Sequence, residues 1–280
     1  MPLRLPLFHA VGPAWRSVCA VVAGCGATAL LLSACATPDA GSASREAARN
    51  TSSASPEVQR AARTRLDLAT SYLEINRLDV ALEEVSYALA LDPGMTDAYL
   101  VRGLVLAQRQ DFAAAKADYE RVLRVRPDDA YVIHNMGFLL CQQKQYDEAQ
   151  DWFHRALAIP GYSSRARTLM AQGLCFQAAG KSHQAIDSLT QAHALENNNP
   201  VVAYNLAALL YGRGEVANAQ VYLRNLNASN LANAETLWLG IKVENAMGNA
   251  IGVRELGNLL GQKFPLSREY SLYERKAFYE

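Results

Sequence analysis

From about residue 60 onward, apolar residues recur at steps of three and four, and the pattern is clearest in 130–160, AYVIHNMGFLLCQQKQYDEAQDWFHRALAIP. In its first half Val132, Ile133, Met136, Gly137 and Leu140 share one face of a 3.6-period helix. In its second half Ala149, Trp152, Phe153, Ala156 and Leu157 do the same, until Pro160 forbids continuation. The polar run 142–145 separates the two, so the stretch predicts two amphipathic helices back to back. Gly137 and Ala149 lack bulk where such helices would cross, which lets the backbones approach closely. A lone hairpin cannot bury both apolar faces, so its neighbours must repeat it.

They do. A small residue is followed twelve positions later by Ala in the pairs Ala69/Ala81, Gly103/Ala115, Gly137/Ala149, Gly173/Ala185 and Ala207/Ala219. Four positions past each second Ala stands Val85, Tyr119, Phe153, Leu189 or Leu223, and three further on Ala88, Val122, Ala156, Ala192 or Leu226. The steps from 81 to 115, 149, 185 and 219 are 34, 34, 36 and 34 residues. Pro93 and Pro127 close their hairpins in the same register. A period of 34 is that of the tetratricopeptide repeat, so the expected fold is an all-α tetratricopeptide-repeat solenoid of about six hairpins with a C-terminal capping helix.

Helical pairs are expected at 65–76 with 79–92, 97–108 with 112–124, the two halves of 130–160, 165–178 with 182–195, and 201–211 with 216–226. The turn Gly161-Tyr162-Ser163-Ser164 is two residues longer than its counterparts. A sixth pair, 235–247 with 251–263, departs from the rule: Ile241 takes the small-residue place and Val253 the Ala place. Terminal repeats are atypical because one face has no neighbour. The tail 267–280, with Tyr270, Tyr273 and Phe278, is expected to cover that face.

The N-terminal region reads differently. Arg4 and Arg16 precede an apolar run, 18–32, which ends in Leu32-Ser33-Ala34-Cys35. This is the layout of a secretory signal, and LSAC resembles the bacterial lipobox, in which Cys35 becomes the lipidated first residue. An uncleaved membrane helix over 17–34 is the alternative, since 18 residues just suffice to span. Residues 36–58 are rich in Ala, Ser, Thr, Gly and Pro, too poor in bulky apolar groups to offset the entropy of ordering. As a coil they would bridge roughly 25 Å. The expected organisation is therefore a signal peptide over 1–34, a lipidated tether over 35–58, six repeats over 59–265 and a cap over 266–280.

Composition narrows the function. With 27 basic and 27 acidic residues the chain has no net charge to attract nucleic acid. Its five cysteines and five histidines form no CxxC pair, no HExxH and no metal-ligand spacing. Phosphate loops, nucleophile elbows and dinucleotide fingerprints are missing as well. No catalytic, cofactor or metal site is expected, nor a small-molecule substrate; a protein partner is. The face of the first helices one step off the packing stripe carries Leu100, Leu104, Tyr131, His134, Asn135, Phe138, Met170, Leu174, Tyr204, Asn205, Tyr211 and Trp238. Large apolar groups there suit an amphipathic helix or extended peptide, and Asn135 and Asn205, 70 residues apart, could clamp its backbone. If the phase is off by one position, the same residues fill the core instead.

The chain resembles the type IV pilus biogenesis lipoproteins of the PilF/PilW kind, the pilotins. The resemblance rests on the lipobox, the six repeats, NMGFLLCQQKQYDEA, PGYSSRAR, GLCF, ETLWLGIKVENAMGN and FPLSREY. It implies a lipoprotein on the periplasmic face of the outer membrane that helps the pilus secretin localise and multimerise. A generic periplasmic repeat lipoprotein, scaffolding cell-wall hydrolases or outer-membrane assembly, would share the lipobox and repeats but has no need of the last motifs. Both Cys141 and Cys175 match places where the resembled family often has Cys. They end first helices of adjacent repeats in a compartment expected to be oxidising, so a disulfide between them is expected, with two buried free thiols as the alternative.

Overall fold

The structure, a computed structural model, describes residues 55–279. The signal peptide, Cys35 and the tether as far as residue 54 lie outside the described residues. Within them the chain forms thirteen helices and no strand: α1 Pro56–Glu74, α2 Leu78–Leu91, α3 Thr96–Gln108, α4 Phe112–Val125, α5 Ala130–Gln142, α6 Tyr146–Ala158, α7 Arg165–Ala178, α8 Ser182–Leu195, α9 Pro200–Gly212, α10 Val216–Asn227, α11 Ala234–Ala246, α12 Ala250–Lys263 and α13 Arg268–Glu274. They divide into two compact units, one ending at Arg109 and the other running from Gln110.

In the first unit α1 and α2 pair as a hairpin and α3 packs against both. Leu73, Ala81 and Val105 form the buried seam, with Leu78, Leu82, Val101 and Leu104 around it. Helix α1 starts at Pro56, nine residues before the expected 65 and inside the stretch assigned to the tether. Ser55 caps it, accepting from the Val58 backbone N–H, with Pro56 and Glu57 in the first turn. The polar, Ala-rich run 56–64 buries only Ala62, which is why periodicity alone does not reveal it.

In the second unit α5/α6, α7/α8, α9/α10 and α11/α12 form hairpins, and α4 packs on α5. The twelve-residue rule has a direct cause. A Cβ on Gly137 would stand 3.0 Å from the Phe153 ring and 3.1 Å from the Ala149 carbonyl oxygen. One on Gly173 would stand 2.7 Å from Leu189 and 3.2 Å from the Ala185 oxygen. At these two hairpins the small residue on the first helix seats the large residue of the second.

The turns after α1, α3, α5, α7, α9 and α11 each carry one residue in the left-handed region, at equivalent positions: Asn76, Gln110, Lys144, Gly180, Gly214 and Gly248. Where Lys144 takes this conformation, the Gln145 N–H donates to the Leu140 oxygen at 2.9 Å, closing a Schellman turn. Helix α13 packs on α11 and α12. Tyr270, Tyr273, Ala277 and Phe278 join the cluster of Leu237, Trp238, Ile241, Leu260 and Leu272.

Candidate partner-binding face

The first helices of the second unit hold most of the candidate residues, at three levels of exposure. On α5, Tyr131 is 47% exposed. Its hydroxyl lies 3.0 Å from Ser163 Oγ in the lengthened turn, and its ring meets Tyr162 edge-on with centroids 5.5 Å apart. Hydrogen bonding to Ser163, then to Ser164, lowers the pKa of the phenol below its usual value. Asn135 and Phe138 are half-buried on the same helix. On α7, Met170 is half-buried, and its sulfur accepts from Asn199 Nδ2 at 3.7 Å. On α9, Tyr204, Asn205 and Tyr211 are half-buried. Burial, then the carboxylates of Glu235 and Glu269, push the Tyr204 hydroxyl up. In the first unit Leu100 and Leu104 are also half-buried, and Leu104 belongs to the seam there.

Three of the residues expected on this face are interior. Leu174 is 2% exposed. Trp238 is 6% exposed, because Phe278 of the tail packs 5.9 Å from its ring centroid. His134 is 7% exposed: its Nδ1 lies 2.9 Å from Thr168 Oγ1, which in turn lies 2.8 Å from the Tyr162 hydroxyl. Burial, with a smaller contribution from Arg167, drives the imidazole down to about 3, so it is neutral at any physiological pH. A one-step phase is too coarse here, since neighbouring first helices pack on each other and bury the residues between them. Asn205 is also partly committed: its Nδ2 donates to the Val201 oxygen of its own helix at 2.8 Å. Only one side of its amide remains for the backbone clamp.

The structure joins Cys141 on α5 to Cys175 on α7, with Cα atoms 5.9 Å apart. That separation lies in the usual disulfide range of about 4.4–6.8 Å. Lys242 was not singled out from the sequence, yet its Nζ lies 5.8 Å from the Trp238 ring and 6.0 Å from Tyr211. It places one cation among the aromatics at this end of the face. The i, i+4 spacing of Trp238 and Lys242 is the only sequence signal for it. Among the described residues, no helix is long and apolar enough to cross a membrane, and no group of three or more His, Cys, Asp or Glu could hold a metal ion.

Family models for the tetratricopeptide repeat match residues 66–130 and 128–196. With the hairpins described above, they define the class: an all-α tetratricopeptide-repeat protein. The type IV pilus assembly protein PilF of Pseudomonas aeruginosa is 27% identical over 209 residues, covering 75% of this chain and 83% of that one. A solved structure of Pseudomonas aeruginosa PilF superposes with a TM-score of 0.67 at 26% identity, covering 79% of this chain and 99% of that one. The structure of PilW, described as a widely conserved type IV pilus biogenesis factor, gives 0.66 at 26% identity over 75% and 96% of the two chains. The chain belongs to the tetratricopeptide-repeat proteins related to the PilF and PilW type IV pilus assembly factors.

Proposed function

We propose that this protein is a pilotin. It is a lipoprotein anchored through Cys35 to the periplasmic face of the outer membrane, and it binds the pilus secretin and promotes its localisation and multimerisation. The observation that carries this reading is the relation to PilF, which spans three-quarters of this chain and nearly all of the solved PilF structure. The partly open Asn135, Phe138, Met170, Tyr204 and Tyr211 supply an apolar and aromatic surface with amide donors and acceptors, suited to a peptide segment.

Phe138→Glu with Met170→Glu tests the face better than changes at Leu104, which belongs to the packed seam of the first unit. The doubly substituted protein should keep its helical circular dichroism and lose at least tenfold in capture of the secretin, because two carboxylates would be desolvated against an apolar segment. Undiminished capture would place the partner elsewhere. Cys35→Ala should move the protein out of the outer-membrane fraction, since stable anchoring needs more than one acyl chain. Unchanged fractionation of that variant would count against the anchor.

A further inference from the structure

In the second unit, a crevice of about 350 Å³ opens between α10, α11 and α12. Glu244, only 6% exposed, forms part of its lining. Gln220 Nε2 donates to one of its oxygens at 2.7 Å, and Asn249 Nδ2 to the other, also at 2.7 Å. Both donors are neutral amides. A carboxylate so far out of water is ordinarily matched by a cation, and neither of these supplies one.

Asn227 lines the same crevice, is 7% exposed, and its Oδ1 has no hydrogen-bond partner. Its Nδ2 is committed to the Thr236 oxygen at 3.0 Å, which leaves the carbonyl end of the amide unmatched. The amide lies over Gly240, where an added Cβ would come within 2.5 Å of Nδ2. At Gly252 a Cβ would stand 2.9 Å from Glu244 Oε2. The two glycines thus let the Asn227 amide and the Glu244 carboxylate sit directly against the helix backbones. Glu255 adds a second negative charge to the lining and Arg224, on the exposed side of α10, a positive one, so acceptors and negative charge predominate.

We infer that this crevice is a binding site for an arginine side chain presented by a partner protein. The acceptors are spread over both Glu244 oxygens and the Asn227 carbonyl. A planar guanidinium with five donors can reach several of them at once, whereas an ammonium is a compact point charge. The inference does not depend on the identity of the pilus partner.

The test uses the protein with N-acetyl-arginine amide, the isosteric but uncharged N-acetyl-citrulline amide, and N-acetyl-lysine amide. Binding is followed through backbone amide resonances. The arginine probe should shift Gly240, Gly252 and Asn249, and bind at least tenfold more tightly than the other two. Glu244→Gln should weaken it tenfold or more with the helical spectrum retained, and Arg224→Ala should leave it unchanged or tighter by removing a like charge. Equal binding of citrulline or lysine, shifts outside the crevice, or loss of binding in Arg224→Ala would each overturn the proposal. The three-probe comparison on the unaltered protein decides the question even if Glu244→Gln fails to fold.

Discussion

The α5/α6 and α11/α12 hairpins are built on the same plan with the bulk exchanged. In α5/α6 the first helix gives Gly137 and the second gives Phe153, fully buried against it. At the equivalent places in α11/α12 stand Ile241, fully buried, and Gly257. The large side chain has moved to the first helix and the small one to the second. The exchange leaves a shelf on α12 that Tyr273 occupies: a Cβ on Gly257 would lie 2.0 Å from its ring. Gly261, one turn on, sits 2.6 Å by the same measure from the ring of Tyr270. An internal hairpin keeps its bulk on the second helix. The terminal one clears that helix so that α13 can close the stack.

The largest expected effect comes from emptying the internal seat. Phe153→Ala should destabilise the second unit by about 3–5 kcal/mol, since Gly137 cannot fill the void. Chemical denaturation measures it, and a loss under 1 kcal/mol would mean that Gly137 and Phe153 do not define the packing. Removing the Cys141–Cys175 link, which closes a loop of 34 residues, should cost about 3–4 kcal/mol. Thiol counting on denatured, periplasm-expressed protein should find none free in the folded region, and two would contradict the pairing. At the terminal hairpin Gly257→Ala should cost about 1–3 kcal/mol by displacing Tyr273. Combining it with Tyr273→Ala should recover part of that loss. Additive losses would show that the shelf is not built for the tyrosine.

His134 gives a smaller effect, set by pH. Its folded value of about 3 lies below the ordinary 6.5, so between these two values the unfolded chain binds the extra proton. Its contribution is intact above pH 6.5 and falls with acidification, by up to about 1.4 kcal/mol per pH unit. His134→Gln should flatten the fall in stability between pH 7 and 5. An unchanged slope would mean that the imidazole titrates normally.

The smallest effect separates the hairpins by their turns. Lys144 adopts φ 62°, where Gly180, Gly214 and Gly248 need no Cβ clearance. Lys144→Gly should therefore raise stability by a few tenths to about 1 kcal/mol. Gly180→Lys should lower it by a similar amount. A loss on Lys144→Gly would mean that the flexibility added to the unfolded chain outweighs the strain removed.

Repeat spacing is legible in the sequence because a twelve-residue offset and a large residue four positions later are local consequences of two helices crossing. The sixth hairpin departs visibly at Ile241 and Val253, but the use of Gly257 and Gly261 as seats for tyrosines depends on where the chain returns after Pro265. The start of α1 is signalled by Ser55-Pro56-Glu57 rather than by periodicity. The face is less legible. Tyr131, Phe138 and Met170 keep an open side, whereas His134, Leu174 and Trp238 are covered by neighbouring helices or by the tail, and a single-helix period carries no information about those neighbours.

The proposed role of this repeat protein is to serve assembly of the pilus secretin. It is tested most directly in a strain lacking the gene, by running unboiled membranes for secretin multimers and counting surface pili. Multimers and pili should be lost while secretin monomer persists, and the intact gene should restore both. Normal multimers with normal pili in the deletion strain would contradict it.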